Sequence, residues 1–306
     1  MSHFSVLVIG DDVDGQLAPY HEFECTGVVD KFVVTVDETA EHIAEFEKDG
    51  GVRFDQTAAE WMDHNYGRKV VELGEDPDLN GEHKYGWCRV DEAGNLIESC
   101  NRTNPNAQWD WYVIGGRWDG MLLLKDGSKA NVAAIEDIDF ETQAAIDEAR
   151  ARTEFRAWRE CFAPAQGLQA HVAVEAGLAI QPKDLPRSWR EILSGDGTID
   201  EKRTVYHAQP AVKAAKQHPL FRNRFFFNPV DEIGFDEEAY VEKMRLSTLI
   251  PYVLVHEGKW LAKGEMGWWG MSYDESDDPL EWSKKACALL RSLPEGTRIT
   301  VVDCHI

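Results

Sequence analysis

Two β-rich runs at the ends of the chain constrain its fold most strongly. Residues 4–9 (FSVLVI) and residues 297–306 (TRITVVDCHI) are short and rich in Val and Ile, a pattern typical of buried strands. A strand at the end of a chain still needs a neighbour for its backbone hydrogen bonds. We therefore expect the two runs to pair with each other, so that both ends of the chain lie in one sheet of one domain.

The segments between these runs predict helices mixed with antiparallel hairpins. Helical spacing covers residues 36–46, 55–66, 137–162, 236–246 and 281–293, and hairpin patterns cover residues 85–98 and 252–263. Prolines divide residues 163–230 into short fragments. The sequence thus predicts an α+β fold, in which helices flank a mainly antiparallel sheet that joins the N- and C-terminal strands. Its expected parts are a core domain of residues 1–162 plus 231–306 and an inserted helical or irregular subdomain at residues 163–230.

Acidic charge is concentrated in the first third of the chain. The 306 residues include 55 Asp and Glu against 32 Lys and Arg, for a formal net charge of −23. Residues 1–100 hold 23 acidic and 7 basic side chains, whereas residues 101–230 hold 17 of each. Affinity for a phosphate backbone comes from Lys and Arg, so this balance disfavours direct binding to nucleic acid. It favours either a solvated acidic face or a docking surface for a basic partner. The candidate docking residues are Asp37, Glu38, Glu41, Glu45 and Glu47.

Two segments rich in tryptophan and glycine form a second candidate surface. The residues concerned are Trp109, Trp111, Arg117 and Trp118 in the first segment, and Glu265, Trp268 and Trp269 in the second. Exposed Trp and Arg side chains suit an aromatic pocket or a protein-binding platform. The alternative is a core packed over tight turns, with Arg117 and Glu265 as a buried ion pair. The Gly115-Gly116 pair is expected to let backbone or ligand approach closely.

A polar group at the two chain ends is a third candidate site. In a strand, Asp303 and His305 point to the same face, and an adjacent first strand would add His3 to them. This group has the side chains needed for acid–base catalysis. The alternative is a structural hydrogen-bond network at the end of the sheet. Its spacing fits no compact metal-ligand motif, so we predict neither a metal nor a cofactor.

Cysteine spacing and hydropathy indicate the compartment. The 6 cysteines are scattered and include no C-x₂₋₄-C pair, which favours free thiols in a reducing cytoplasm. No run approaches the roughly 20 apolar residues that cross a bilayer, and the first residues carry no basic leader. We therefore expect a cytoplasmic protein without a membrane segment.

Three segments carry a resemblance to known sequences. They are the opening from Met1 to Asp11, the block from Trp109 to Trp118, and the ending that runs from Lys259 through GEMGWWG to VVDCHI. Together they resemble a family of hypothetical proteins encoded by bacteriophages and prophages. The resemblance implies a viral origin and a bacterial host cytoplasm, and it supplies no reaction.

These observations lead to one main hypothesis and two alternatives. The main hypothesis is a non-enzymatic phage accessory protein that binds and obstructs a host protein through its acidic and Trp-rich surface. The host protein would be a nucleic-acid-binding defence complex, and the phage protein would act alone or as a homo-oligomer. The first alternative is a small hydrolase or nucleotide-modifying enzyme that combines a Trp-lined pocket with His3, Asp303 and His305. The second is a protein that sequesters a nucleotide signal in the same pocket.

Overall fold

A computed structural model describes residues 2–22, 31–50, 56–161, 185–224, 227–266, 272–273 and 280–306. Its strands are β1 (His3–Ile9), β2 (Val34–Asp37), β3 (Lys69–Val70), β4 (Gly86–Val90), β5 (Leu96–Thr103), β6 (Trp111–Ile114), β7 (Leu122–Leu123), β8 (Lys129–Ala130), β9 (Val132–Ala134), β10 (Val253–His256), β11 (Lys259–Ala262), β12 (Glu265–Met266), β13 (Ser272–Tyr273) and β14 (Arg298–His305). Its α-helices are α1 (Val13–Leu17), α2 (Thr39–Glu45), α3 (Ala58–Tyr66), α4 (Phe140–Glu160), α5 (Trp189–Leu193), α6 (Ile199–Ala208), α7 (Pro210–Gln217), α8 (Pro229–Glu232), α9 (Glu237–Leu246) and α10 (Glu281–Ser292).

The largest sheet of the described residues joins both ends of the chain. Its strand order is β11-β10-β1-β14-β6, and β9 also pairs with β14. Strand β1 runs antiparallel to β14 along its whole length, from His3 opposite His305 to Ile9 opposite Ile299. On its other edge β1 pairs in parallel with β10. The prediction of an α+β fold with the two terminal strands in one sheet is confirmed.

Both faces of this sheet are buried around β1. On one face, Leu7 and Val301 share a hydrophobic cluster with Leu290 of α10. On the other face, Val8 and Val302 pack with other apolar side chains that include Trp109. A strand buried on both faces needs a continuous apolar run, which explains the composition of residues 4–9.

A smaller sheet with strand order β2-β5-β4-β3 is covered on one face by helices. Trp61 and Met62 of α3 pack against Cys88 and Leu96 of this sheet, and partly buried side chains from α2 and the turn that follows it complete the cluster. Strand β2 lies at the edge of this sheet, and all four of its residues are exposed.

Helices α4 to α9 share a third core. Phe155 and Trp158 of α4 belong to one cluster with Tyr206, Phe221 and Val241, which come from α6, the turn after α7, and α9. Described helices from the segment expected to be inserted therefore pack on helices that the sequence assigned to the core domain. The domain boundaries stay a prediction, and residues 162–184 lie outside the described part of the chain.

Two further expectations concern thiols and membranes. Cys88, Cys100, Cys161, Cys287 and Cys304 are free, as expected, and Cys25 lies outside the described residues. Within the described ranges, no helix combines the length and the apolar character that crossing a bilayer requires.

Candidate active site

The register of the terminal strands brings the predicted polar group together. His3 lies opposite His305, and Ser5 lies opposite Asp303, in the β1–β14 pair. Directly opposed residues of an antiparallel pair share a face, so these four side chains lie on one side of the sheet. The ring centroids of the two histidines are 5.0 Å apart. The predicted neighbourhood of His3, Asp303 and His305 is therefore present in the structure.

Each histidine is held by its own carboxylate. Nδ1 of His3 is 2.8 Å from Oδ1 of Asp303. Nδ1 of His305 is 2.7 Å and 2.9 Å from the two carboxylate oxygens of Asp110. An ionised carboxylate only accepts hydrogen bonds, so Nδ1 of each ring carries a hydrogen and donates it. This arrangement leaves Nε2 of each ring for another partner.

Asp303 is a buried carboxylate that a glycine turn holds in place. Its side chain is 3% exposed, and its Oδ2 accepts the backbone N–H of Arg117 at 2.9 Å. Gly116 has φ +55°, and a Cβ at this position would collide with the Asp303 carboxylate. A close approach therefore occurs at Gly116, but the group that approaches is the Asp303 side chain and not the backbone or ligand that the sequence predicted.

Asp110 takes its position from the entry to β6. Its backbone N–H donates to the carbonyl of His305 at 3.0 Å, and its own carbonyl contacts Nε2 of His21 at 2.8 Å. Both contacts fix the main chain, so the carboxylate is aimed at the His305 ring. Sequence reasoning missed Asp110, because its role depends on the pairing of β6 with the end of β14. Its place between Trp109 and Trp111, in a block already singled out, was the available signal.

Trp111 forms an aromatic wall beside the two histidines. It lies opposite His305 in the β6–β14 pair. Its ring is stacked on the His305 ring at 4.9 Å and meets the His3 ring edge-on at 5.3 Å. Trp111 is nevertheless 45% exposed.

One nitrogen of the site is buried and lacks a partner. His305 is 5% exposed, and its Nε2 has no hydrogen-bond partner among the described residues. A buried polar atom without a partner costs about 1–3 kcal/mol, so such atoms are rare in native structures. A ligand that hydrogen-bonds to Nε2 would remove this cost, so this atom is a candidate ligand contact.

The same face offers no activated nucleophile among the described residues. Ser5 is buried, and its hydroxyl accepts the backbone N–H of Tyr252 at 3.2 Å. Cys304 points to the opposite face, and burial, followed by the charges of Asp303 and Asp110, raises the pKa of its thiol. Among the described residues, no group of three or more His, Cys, Asp or Glu side chains could hold a metal ion. The geometry supports proton transfer by the histidines.

The other tryptophans of the predicted surface have different positions. Trp109 is 8% exposed, lies in the core, and donates from its indole nitrogen to the carbonyl of Leu17 at 3.1 Å, so it adds nothing to an accessible surface. Trp118 is partly buried against the cluster around Leu7. Trp268 and Trp269 lie outside the described residues, and so does the side chain of Glu265. Arg117 is exposed, so it takes no part in a buried ion pair.

The predicted acidic residues lie on and around α2, away from the two histidines in the fold. Glu41 and Glu47 are exposed. Glu45 is exposed and accepts a hydrogen bond from the Tyr66 hydroxyl. Glu38 is half-buried and accepts from the Asn101 side chain at 3.0 Å. The side-chain and backbone hydrogen bonds from Thr39 lower the pKa of Asp37. Three of these five carboxylates, Asp37, Glu38 and Glu45, therefore accept hydrogen bonds within the fold.

A separate groove lies among the helices. Its volume is about 390 Å³, and it is lined by Arg150, Glu154, Arg224, Glu232, Tyr240, Lys243 and Met244. Glu154 at its base accepts hydrogen bonds from Arg224 and from the Tyr240 hydroxyl. None of these residues belongs to the histidine site, and their charges largely compensate one another.

Comparison with known proteins finds no matching family model, no matching curated protein and no matching solved structure for this chain.

Proposed function

We propose that this chain is an acid–base enzyme of the hydrolase or nucleotide-modifying class, with His3 and His305 as its catalytic residues. The observation that carries the proposal is the pair of His–Asp contacts, His3 with Asp303 and His305 with Asp110, on rings 5.0 Å apart. Free thiols and the resemblance to phage proteins favour the cytoplasm of a bacterial host as its place of action.

Two histidines in this arrangement can move two protons in one reaction. One ring accepts a proton through Nε2 from an attacking hydroxyl or water, and the other donates a proton to the leaving oxygen. Asp303 and Asp110 keep the rings in the required tautomer and orientation, and they stabilise the imidazolium that forms. They act as positioning residues.

The test is hydrolysis of a small panel of chromogenic substrates by the purified full chain. The panel contains a phosphodiester, a phosphomonoester and a carboxylic ester of 4-nitrophenol. We expect turnover of at least one of them, and we expect His3→Asn and His305→Asn each to lower kcat by about 10²- to 10⁴-fold, the usual contribution of a general acid or base.

His256→Asn is the matched control. His256 is a half-buried histidine of the same sheet, but it lies opposite Ile9 at the other end of β1. The control should keep the rate of the unchanged protein, and thermal unfolding should show that all three variants are folded. Equal rates for the control and the two site variants, or no turnover of any panel member or of the dinucleotide used below, would overturn the proposal.

A second candidate function is obstruction of a host protein, which the surface around β2 favours. Val34 and Val36 are 44% and 37% exposed on this edge strand, beside the exposed acidic side chains of α2. An edge strand presents backbone groups that can pair with an extended segment of another protein. The acidic side chains would then favour a basic partner, such as a nucleic-acid-binding defence complex.

This second candidate is tested by affinity purification from bacteria that express the chain, followed by binding measurements with any host protein retained. The double variant Glu41→Lys plus Glu47→Lys should bind at least about 10-fold more weakly at low salt, because charges at the rim of an interface mainly affect association. Asp196→Lys plus Asp200→Lys, on the exposed loop and first turn of α6, is the matched control. Equal weakening by both pairs, or repeated failure to retain a host protein, would exclude this function.

A further inference from the structure

The chemistry of the site limits which substrates two histidines could act on. The described residues of this face supply acids and bases but no activated nucleophile, since the Ser5 hydroxyl is buried and the Cys304 thiol lies on the other face. Acyl transfer through a covalent intermediate needs such a nucleophile. The described residues of this face therefore favour attack by water or by a hydroxyl that the substrate itself carries.

The groups around the histidines favour a phosphate next to a flat ring. Arg117 is exposed, and its backbone N–H donates to the Asp303 carboxylate. Its main chain therefore lies at the site. A guanidinium is the preferred protein partner of a phosphate. Trp111 presents the aromatic surface on which a nucleobase can stack.

The net charge limits the size of such a substrate. A chain of charge −23 with two carboxylates at the site repels a long polyanion. A small nucleotide has one or two phosphates, and the Arg117 guanidinium and an imidazolium can balance their charge locally. The same charge that disfavours RNA binding is therefore compatible with a small nucleotide.

We infer that the substrate is a small ribonucleotide in which a 2′-hydroxyl lies next to a phosphodiester, with its base on Trp111 and its phosphate at Arg117. This inference rests on the proposed acid–base function. One histidine takes the proton of the 2′-hydroxyl while the bond from O2′ to phosphorus forms. The bond from phosphorus to the 5′-oxygen breaks, and the other histidine gives that oxygen its proton. The products are a 2′,3′-cyclic phosphate and a free 5′-hydroxyl, with no other reactant.

The test compares a dinucleoside monophosphate, adenylyl-(3′→5′)-adenosine, with the analogue that lacks only the 2′-hydroxyl beside the phosphate. Liquid chromatography with mass spectrometry follows the cyclic product. We expect cleavage of the ribose form only, lost in both His3→Asn and His305→Asn. We also expect Trp111→Ala to raise KM by about 5- to 150-fold, the usual effect of removing a stacking partner.

Ile114→Ala is the matched control for Trp111→Ala. Ile114 is 46% exposed on the same strand, but it lies opposite Val302 and therefore on the other face of the sheet. KM should be unchanged in this variant, and an equal rise in both variants would contradict the stacking role of Trp111.

The remaining outcomes separate this inference from the function on which it rests. Equal cleavage of the 2′-deoxy analogue would show that water attacks, which overturns the inference and leaves acid–base catalysis standing. The same conclusion follows if neither dinucleotide is cleaved while a panel ester is turned over in a histidine-dependent way. Absence of any histidine-dependent turnover would overturn both.

Discussion

Asp303 shows what a single buried carboxylate requires of its neighbours. Its side chain is 3% exposed, and it is held by the His3 ring and by the Arg117 backbone N–H. A buried charge is tolerated only when hydrogen bonds replace its lost hydration. The turn at Gly116 brings the Arg117 N–H within reach, so the conformation of one glycine determines whether the His3–Asp303 pair can form.

Replacing this glycine gives a prediction at the scale of a residue. Gly116→Ala should lower the free energy of unfolding and reduce catalytic turnover, because its Cβ would collide with the Asp303 carboxylate and displace it. Gly94→Ala is the matched control: Gly94 also has a positive φ, +85°, but nothing lies within 4 Å of its Cβ position. Gly94→Ala should lower the free energy of unfolding only by the strain of a left-handed residue, about 1 kcal/mol. Urea unfolding of both variants checks this, and equal losses would contradict the collision.

Residues differ in how far the sequence predicts their roles. Alternation along the last strand places Asp303 and His305 on one face, because the side-chain period of a strand is two. Asp110 has no such local signal, since it reaches His305 only through the pairing of β6 with β14. Trp109 and Trp111 are two residues apart, yet one is buried in the core and the other is 45% exposed.

The start of a helix is stabilised by hydrogen bonds between residues that are close in the sequence. Helix α3 begins at a capping box, in which the Thr57 hydroxyl accepts the Glu60 N–H and the Glu60 carboxylate accepts the Thr57 N–H. These bonds satisfy backbone donors that a helix leaves free at its start. They also fix the helix that places Trp61 and Met62 on the smaller sheet.

This capping box gives a prediction at the scale of an element. Thr57→Ala should lower the free energy of unfolding by about 1 kcal/mol, because it removes the N-cap. Thr153→Ala is the matched control, since Thr153 is exposed within α4 and bonds only to the carbonyl of Ala149. The free energy of unfolding of Thr153→Ala should stay within about 0.5 kcal/mol of that of the unchanged protein. Urea denaturation followed by circular dichroism measures both values, and a smaller effect for Thr57→Ala than for the control would rule out this role of the cap.

The charge of the whole molecule acts on stability through its many carboxylates. Several accept hydrogen bonds at helix starts and turns, and these bonds lower their pKa values. Such groups include Asp37, Glu60, Asp91, Asp126, Glu136, Asp139 and Glu201. A carboxyl whose pKa is lower in the folded state stabilises the fold above its unfolded pKa and loses that contribution as pH falls through the folded value.

The corresponding prediction concerns acid denaturation. The urea midpoint should change little from pH 7 to 5 and then fall steeply below about pH 4, where these carboxyls become protonated. Asp139→Asn, at the start of α4, is a useful comparison, because Asn still caps a helix but does not titrate in this range. Its midpoint should fall less on acidification. A midpoint that stays constant between pH 7 and pH 3, or the same loss in both proteins, would contradict this linkage.

The sequence by itself determined the features that depend on local periodicity and charge. The apolar runs at both ends predicted two buried strands in one sheet, and helical spacing predicted α3, α4, α9 and α10. These patterns reflect short-range sterics and the burial of one or both faces of an element, which neighbouring residues encode. The net charge of −23 likewise follows from composition alone.

Only the tertiary structure decided which side chains meet. The register between β1, β14 and β6 aligns His3, His305 and Trp111, and the Asp110 carboxylate reaches His305 from the start of β6. The same packing buries Trp109 and leaves Trp111 exposed. The register depends on contacts such as His3–Asp303 and Asp110–His305, whose residues are 300 and 195 positions apart in the sequence. A shift of the register by one residue would turn every side chain of the strand to the other face. Local sequence carries no information about the contacts of β6 with β14, and for this reason the role of Asp110 and the place of Trp111 beside the histidines appear only in the folded chain.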